Sequence, residues 1–179
     1  MFHRTERLLL RPAWPEDWRA IFKGIAEQGI VCNLARAPWP YTEDHAREFA
    51  ARLPADPRIP SFMVTLPGEA GSRLIGAAGL GMDDRGELQI GYWIAREHWG
   101  RGYATEAARA VVDIARALGH RRIVAGHFQD NPASGRVLQK AGFVPTGEIR
   151  PQFSAGRGAE APLVCFAIDL DTEPERLAA

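Results

Sequence analysis

The chain has 179 residues, which is the usual size of one domain and is long enough to bury a sizeable core. Its 22 basic residues balance its 22 acidic ones, so the composition gives no bulk attraction to nucleic acid or to an anionic membrane as a partner. The N-terminus has no signal-peptide pattern and no apolar run approaches the roughly 20 residues that span a bilayer, so we expect a cytoplasmic protein.

The N-terminal third is predicted to contain one strand and two helices. Pro12 ends the strand, and Pro15 suits the first turn of a helix whose apolar residues recur at helical spacing. Thr42 is a suitable N-cap for the second helix. We therefore expect a strand over 6–12, a helix over 15–27, a loop over 33–42 and a helix over 43–53.

The rest of the chain alternates strands with two further helices. Short turns between three strand-like runs predict an antiparallel meander, and an apolar helical face from Ala104 to Leu118 predicts a long helix that stops at Gly119. We expect strands over 61–66, 73–82, 88–95, 121–128, 143–150 and 161–170, a short helix over 131–143, a polar loop or a solvated hairpin over 147–162 and a flexible tail over 171–179. Together these elements indicate one α/β domain over 1–170 with a mostly antiparallel first half.

A glycine turn joins the strand over 88–95 to the long helix. Gly100 and Gly102 let the backbone curl so that N–H groups at the helix start converge on an anion, and Arg101 can bond a phosphate oxygen. A turn used purely for packing would have a similar sequence. The P-loop string is absent, and Thr105 stands where the dinucleotide fingerprint needs glycine or alanine. The pattern therefore favours a phosphate-binding turn of another class.

Two blocks at this spacing carry a family resemblance. The block YWIAREHWGRGYATEAARAVVDIA (92–115), followed by a strand and NPASGRVLQKAGF (131–143), resembles the GNAT superfamily of acyl-coenzyme A N-acyltransferases. Within it, the branch of ribosomal-protein-alanine N-acetyltransferases is the most similar, and the resemblance extends from about Thr5 to Leu170. It implies an α/β (α+β) fold with a mixed, mostly antiparallel sheet of about seven strands, about four helices and a splayed parallel strand pair.

The resemblance also implies where acetyl-coenzyme A binds. The pantetheine arm is expected between the splayed strands, paired with backbone near Trp93, Ile94 and Ala95, while Asn131 bonds its amide. Ser134 is expected near the thioester sulfur, where its hydroxyl solvates or protonates the leaving thiolate. The residues expected at the pyrophosphate are those of the turn: Trp99, Gly100, Arg101, Gly102, Tyr103, Ala104 and Thr105.

Two positions depart from the family pattern. Trp99 replaces the usual glutamine or arginine, and Gln89 replaces a glutamate that faces the acceptor site in this branch. Glutamine cannot act as a general base, so we expect Gln89 to be an acceptor-site residue and the amine proton to leave through carboxylates or water. A backbone N–H at a bulge near Trp93 or Ile94 is expected to stabilise the tetrahedral oxyanion.

Three other side chains are candidate bases with simpler explanations. Glu106 lies in the first turn of a helix, where a carboxylate complements the dipole, and His98 and His127 suit packing or solvent positions. The five histidines show no metal-ligand spacing, so no metal is expected.

The sequence therefore predicts an acetyltransferase that uses acetyl-coenzyme A as co-substrate. Its partner is a primary amine, either a protein or peptide N-terminus or a small-molecule amine. A non-catalytic acyl-coenzyme A binding or sensing module is the alternative. Such a module would need the glycine turn but no glutamate at position 89, which would explain the glutamine found there. A homodimer is common among proteins of this family.

Overall fold

A computed structural model describes residues 1–52, 56–68 and 71–170, so the tail predicted over 171–179 lies outside the described residues. One sheet has the strand order β1-β2-β3-β4-β5-β6-β8-β7. The strands are β1 His3–Arg4, β2 Leu9–Arg11, β3 Ser61–Leu66, β4 Arg73–Met82, β5 Leu88–Ile94, β6 Arg122–Phe128, β7 Val144–Ser154 and β8 Ala159–Asp169. The α-helices are α1 Trp18–Ile25, α2 Gln28–Val31, α3 Glu43–Ala51, α4 Tyr103–Ala117 and α5 Pro132–Lys140.

The sheet is antiparallel except at one pair of strands. The meander predicted from the first half of the chain is confirmed, because β3, β4 and β5 are antiparallel neighbours. Strands β5 and β6 are parallel, and the last strands return to antiparallel pairing. The two-residue strand β1 was not predicted, so the sheet has eight strands rather than about seven.

The helix predicted over 15–27 is divided in the structure. A 3-10 turn over Pro15–Asp17 precedes α1, and the chain leaves the helical region at Ala26 and Glu27 before α2 begins. This break gives five helices rather than about four. The predicted cap of α3 is confirmed, since the Thr42 hydroxyl accepts from the His45 N–H at 3.4 Å.

The helices cover the sheet on two faces. Helix α4 packs its predicted apolar face into one core, and α1 and α3 build a second core with Trp93 and Ala95 of the opposite face. Alanines at the α4 contact let the helix approach the sheet closely. Its fully buried residues are Ala107, Ala108, Val111 and Ala115. Among the described residues, no helix is both long and apolar enough to cross a membrane.

Residues between β1 and β2 hold the start of α4. Glu106 accepts hydrogen bonds from the Thr5 hydroxyl at 2.6 Å and from the Arg7 backbone N–H and Nε at 2.8 and 2.7 Å. Arg7 also donates to the carbonyl of Arg101 at 3.0 Å. Burial alone would raise the pKa of Glu106, but the hydrogen bonds from Thr5 and Arg7 outweigh it and lower the pKa. Glu106 therefore ties the N-terminal segment to the glycine turn.

The polar segment 147–162 is a β-hairpin rather than a loop. Strand β7 continues to Ser154 and pairs with β8, which leaves residues 155–158 as the turn. The strand predicted over 143–150 is confirmed as the first part of β7, but almost every β7 side chain is exposed, so no alternating pattern could indicate its continuation to Ser154. The hairpin tip is held against the region after α2, since Ser154 donates to the Leu34 carbonyl at 2.9 Å and Arg157 to the Cys32 carbonyl at 2.7 Å.

The Glu106 contacts predict a pH-dependent contribution to stability. Glu106→Gln should lower the free energy of unfolding by about 1.5–3 kcal/mol at pH 7, the range for hydrogen bonds to a charged group. Because the folded pKa is lowered, this contribution is present above the unfolded value of about 4.3 and is lost as the pH falls through the folded pKa. Denaturant unfolding of both proteins from pH 7 to pH 2.5 measures it, and a difference that stays constant below pH 4 would contradict the assignment.

Candidate active site

The parallel strands β5 and β6 diverge from a single point. Their one backbone pairing joins Gln89 and Val124, near the start of both strands. Beyond it, the Ala95 N–H donates to Ile75 of β4 at 2.8 Å, and the Ala95 carbonyl accepts from the His98 N–H at 2.9 Å. A wedge-shaped gap therefore opens between β5 and β6 toward their carboxyl ends.

Backbone groups at the end of β5 are directed into this gap. Since Ala95 bonds to β4, the alternation of an antiparallel strand turns the N–H and carbonyl of Ile94 toward β6. The Ile94 carbonyl accepts from the Trp99 indole N–H at 2.6 Å, which leaves the Ile94 N–H facing the gap. The expected bulge near Trp93 is wrong, because the β4–β5 register is continuous from Leu88 to Ile94.

The glycine turn lies where β5 ends and α4 begins. Gly100 and Gly102 have φ of +74° and +81°, a region that side chains other than glycine rarely adopt. Gly102 is the N-cap of α4, and no described side chain caps the N–H groups at the start of this helix. A Cβ at Gly100 would meet no heavy atom within 4 Å, so the turn is open to an anion. Trp99 and Arg101 are exposed on it, and Tyr103, Ala104 and Thr105 form the first helical turn.

Helix α5 brings Ser134 to the strand beside the gap. The Asn131 side chain accepts from the Ser134 N–H at 3.4 Å and so caps the helix. The Ser134 hydroxyl lies 2.8 Å from the Tyr92 hydroxyl, which also lies 3.2 Å from the Ser134 carbonyl oxygen, so the phenol can donate to either atom. Burial raises the pKa of Tyr92 to about 12, against a smaller opposing effect of the Ser134 hydrogen bond, so Tyr92 is a neutral donor at physiological pH.

The structure gives two of the other candidate bases structural contacts. The His127 ring packs against Phe166 and lies where a Cβ at Gly135 would be 2.6 Å from its Nε2. Glu106 holds Thr5 and Arg7, as described above. His98 is 5% exposed and its ring lies edge-on to Tyr103, next to the turn.

A cavity of about 320 Å³ lies beside the point where β5 and β6 pair. Gln89 and Cys165 line it, together with six charged side chains: Asp83, Glu87, Glu148, Arg85, Arg122 and Arg150. Arg85 bonds Glu148 at 2.7 Å and Arg150 lies 3.6 Å from Asp83, so the acids and arginines largely neutralise one another. The Arg85 hydrogen bond lowers the pKa of Glu148, and burial raises the pKa of the Cys165 thiol.

The structure therefore places the predicted site residues in three groups. Trp93 and Ile94 end β5 at the gap and Ala95 follows them, residues 99–105 form the turn and the start of α4, and Asn131 caps α5 with Ser134 in its first turn, while Gln89 lies apart at the cavity. Sequence reasoning missed Tyr92, although it stands inside the block 92–115, because only the fold brings it to Ser134, 42 positions away. Among the described residues, no group of three His, Cys, Asp or Glu side chains is placed to hold a metal ion.

Comparison with known proteins agrees with this geometry. The probable N-acetyltransferase YjcK of Bacillus subtilis (strain 168) is 39% identical over 126 residues, 66% of this chain and 68% of that protein. A GNAT-family acetyltransferase structure from Bacillus anthracis has 25% identity and a TM-score of 0.81, with 96% of this chain and 100% of that chain covered. The ribosomal alpha-N-protein acetyltransferase RimL, solved with coenzyme A, shares the fold at 17% identity, TM-score 0.76 and coverage of 97% and 100%.

A family model described as an acetyltransferase (GNAT) domain matches residues 7–144, which include the strand pair, the glycine turn and the start of α5. The chain therefore belongs to the GNAT family of N-acetyltransferases.

Proposed function

We propose that the protein transfers the acetyl group of acetyl-coenzyme A to a primary amine, a protein or peptide N-terminus or a small amine that carries little other positive charge. The observation that carries this proposal is the gap between β5 and β6, which ends at an open, uncapped helix start and has Ser134 beside it. The domain over 1–170, a cytoplasmic location and a homodimer remain sequence-based expectations within this proposal.

The cofactor's phosphates fit the glycine turn. The N–H groups at the start of α4 are unpaired by side chains, and a helix start carries about half a positive charge. In the proposal, the pyrophosphate lies on the backbone from Gly100 to Thr105, with Arg101 as an added cation and Trp99 and Tyr103 at its edges. Acetyl-coenzyme A supplies the acyl group, and the protein binds and orients it.

The pantetheine arm fits the gap. The Ile94 N–H is a donor that β5 presents at the open end of the gap, whereas both backbone groups of Ala95 are used by Ile75 and His98. We therefore assign pairing with the pantetheine to Ile94 rather than evenly to Trp93, Ile94 and Ala95. Asn131 faces the same arm from the start of α5, where its side-chain oxygen already caps the helix.

The amine acceptor fits the cavity at Gln89. A protonated amine must lose a proton before it attacks the thioester, and Gln89 is not a base, so the proton leaves through cavity carboxylates or water. The cavity contains three acids and three arginines, which gives no excess negative charge for a polycation. This balance favours an acceptor such as a peptide N-terminus over a polyamine.

A panel of amines tests the reaction. Coenzyme A thiol release should exceed the no-amine background with peptides that have free alanine, serine or methionine N-termini, and should be smaller with polyamines. Thermal stabilisation by acetyl-coenzyme A, measured alongside, reports cofactor binding. Thermal stabilisation without coenzyme A release in the presence of any amine would favour the non-catalytic acyl-coenzyme A binding module. This module is the second candidate because Gln89, at the cavity, is not a base.

The phosphate assignment predicts a charge effect at Gly102. Asn and Asp tolerate a positive φ about equally, so Gly102→Asn and Gly102→Asp have similar backbone strain and differ in one negative charge. The Asp variant should bind acetyl-coenzyme A at least about tenfold more weakly than the Asn variant, since like charges a few ångströms apart repel by about 1–4 kcal/mol. Titration calorimetry measures both affinities, and equal values would contradict the assignment of the phosphates to this turn.

The acceptor assignment predicts a charge effect at Gln89. Gln89→Glu should lower the KM for a cationic amine about fivefold and Gln89→Lys should raise it by a similar factor, because a charge about 4 Å away contributes about 1 kcal/mol in water. The KM for acetyl-coenzyme A should stay within about twofold of wild type in both variants. Steady-state kinetics with each substrate varied in turn provide the test. If the two substitutions shift the amine KM in the same direction, the cavity is not the acceptor site.

A further inference from the structure

The contact between Tyr92 and Ser134 joins the central sheet to the start of α5. Tyr92 lies on the face of β5 that packs with α4, and its ring is partly buried against that core. Its hydroxyl lies 2.8 Å from Ser134 Oγ and 3.2 Å from the Ser134 carbonyl. Two acceptors of one residue therefore lie within reach of one phenol.

We propose that Tyr92 is a positioning residue for Ser134: it donates to Ser134 Oγ and so directs the serine hydroxyl proton at the sulfur of the leaving coenzyme A. The inference rests on the proposed function, because it takes Ser134 to lie beside the thioester.

The available protons allow two arrangements of these hydrogen bonds, and a thiolate in the gap selects between them. A serine hydroxyl has one proton and accepts through two lone pairs, and a tyrosine hydroxyl likewise has one proton. When Tyr92 donates to Ser134 Oγ, the serine proton is free for a third partner. When Ser134 donates to Tyr92 instead, the phenol proton turns to the Ser134 carbonyl and the sulfur receives no donor. A thiolate in the gap favours the first arrangement, because a charged acceptor forms the stronger hydrogen bond.

The step needs a hydrogen bond and no proton transfer from Tyr92. When the tetrahedral intermediate collapses, the C–S bond breaks and its electron pair stays on sulfur as a thiolate. Burial raises the pKa of Tyr92 to about 12, whereas an ordinary thiol titrates near 8.5, so the phenol keeps its proton. The thiolate is stabilised by the Ser134 hydroxyl until it leaves or takes a proton from water.

The pKa of the coenzyme A thiol bound to the protein tests this arrangement without an amine acceptor. A donor that stabilises the thiolate lowers this pKa below that of free coenzyme A. Tyr92→Phe and Ser134→Ala should each raise the bound-thiol pKa by about half a unit to one unit, and the double variant should raise it no further. Ultraviolet absorbance of the thiolate during a pH titration of the complex measures these values.

Two further variants separate the hydroxyl contact from ring packing. Tyr41 is another buried tyrosine whose pKa is raised to about 12, mainly by burial, and it packs in the other core, so Tyr41→Phe should leave the bound-thiol pKa unchanged. Replacing Tyr92 with 3-fluorotyrosine retains the ring and makes the phenol a stronger donor. It should lower the bound-thiol pKa, and it provides the test if Tyr92→Phe does not fold.

Turnover of the best amine gives a second readout. Tyr92→Phe should lower kcat about three- to tenfold and leave the KM for acetyl-coenzyme A unchanged. A bound-thiol pKa that does not respond to Tyr92, or additive effects of the two single variants, would overturn the inference. If the inference about Tyr92 fails in this way but the wild-type protein acetylates amines, the proposed function stands and only the role of Tyr92 is rejected. If wild-type protein binds no coenzyme A, both proposals fail together.

Discussion

Strands β5 and β6 run parallel and share one backbone pairing, between Gln89 and Val124, before they separate. Hydrogen bonds to groups outside the pair stabilise the separation. The Ala95 N–H donates to the Ile75 carbonyl of β4, and the Trp99 indole N–H donates to the Ile94 carbonyl. A sheet that continued to pair here would have no space for a ligand. The gap, the turn at its end and the cavity at its closed side all depend on this divergence.

Contacts from distant parts of the chain hold the two sides of the gap. On the side of the glycine turn, Glu106 binds Thr5 and Arg7, and Arg7 donates to the carbonyl of Arg101. On the other side, Arg157 at the tip of the β7–β8 hairpin bonds the Cys32 carbonyl and both carboxylate oxygens of Asp130, the residue before Asn131. The hairpin therefore links the segment after α2 to the start of α5. A rigid frame of this kind orients two reactants, which supplies much of the acceleration that a thioester and an amine need.

The sequence was informative where a pattern is local. Strand-like runs separated by short turns predicted β3, β4 and β5, and the glycines at 100 and 102 predicted a tightly curled turn, which has positive φ at both positions. The sequence could not reveal contacts between distant residues, such as Tyr92 with Ser134, because no local spacing encodes them. It also missed the last four residues of β7, since a strand exposed on both faces has no alternation to indicate where it ends, and it missed the break after α1, where tertiary packing overrides helical spacing.

A crystal structure of the protein with coenzyme A tests the central claim most directly, because that claim is the use of the divergent gap as the cofactor site. We expect the pyrophosphate on the N–H groups of residues 100–105, the pantetheine bonded to the Ile94 N–H, and the sulfur about 3.5 Å from Ser134 Oγ, close to the usual limit of hydrogen bonds. Coenzyme A bound elsewhere on the protein, with the gap between β5 and β6 empty, would contradict the account.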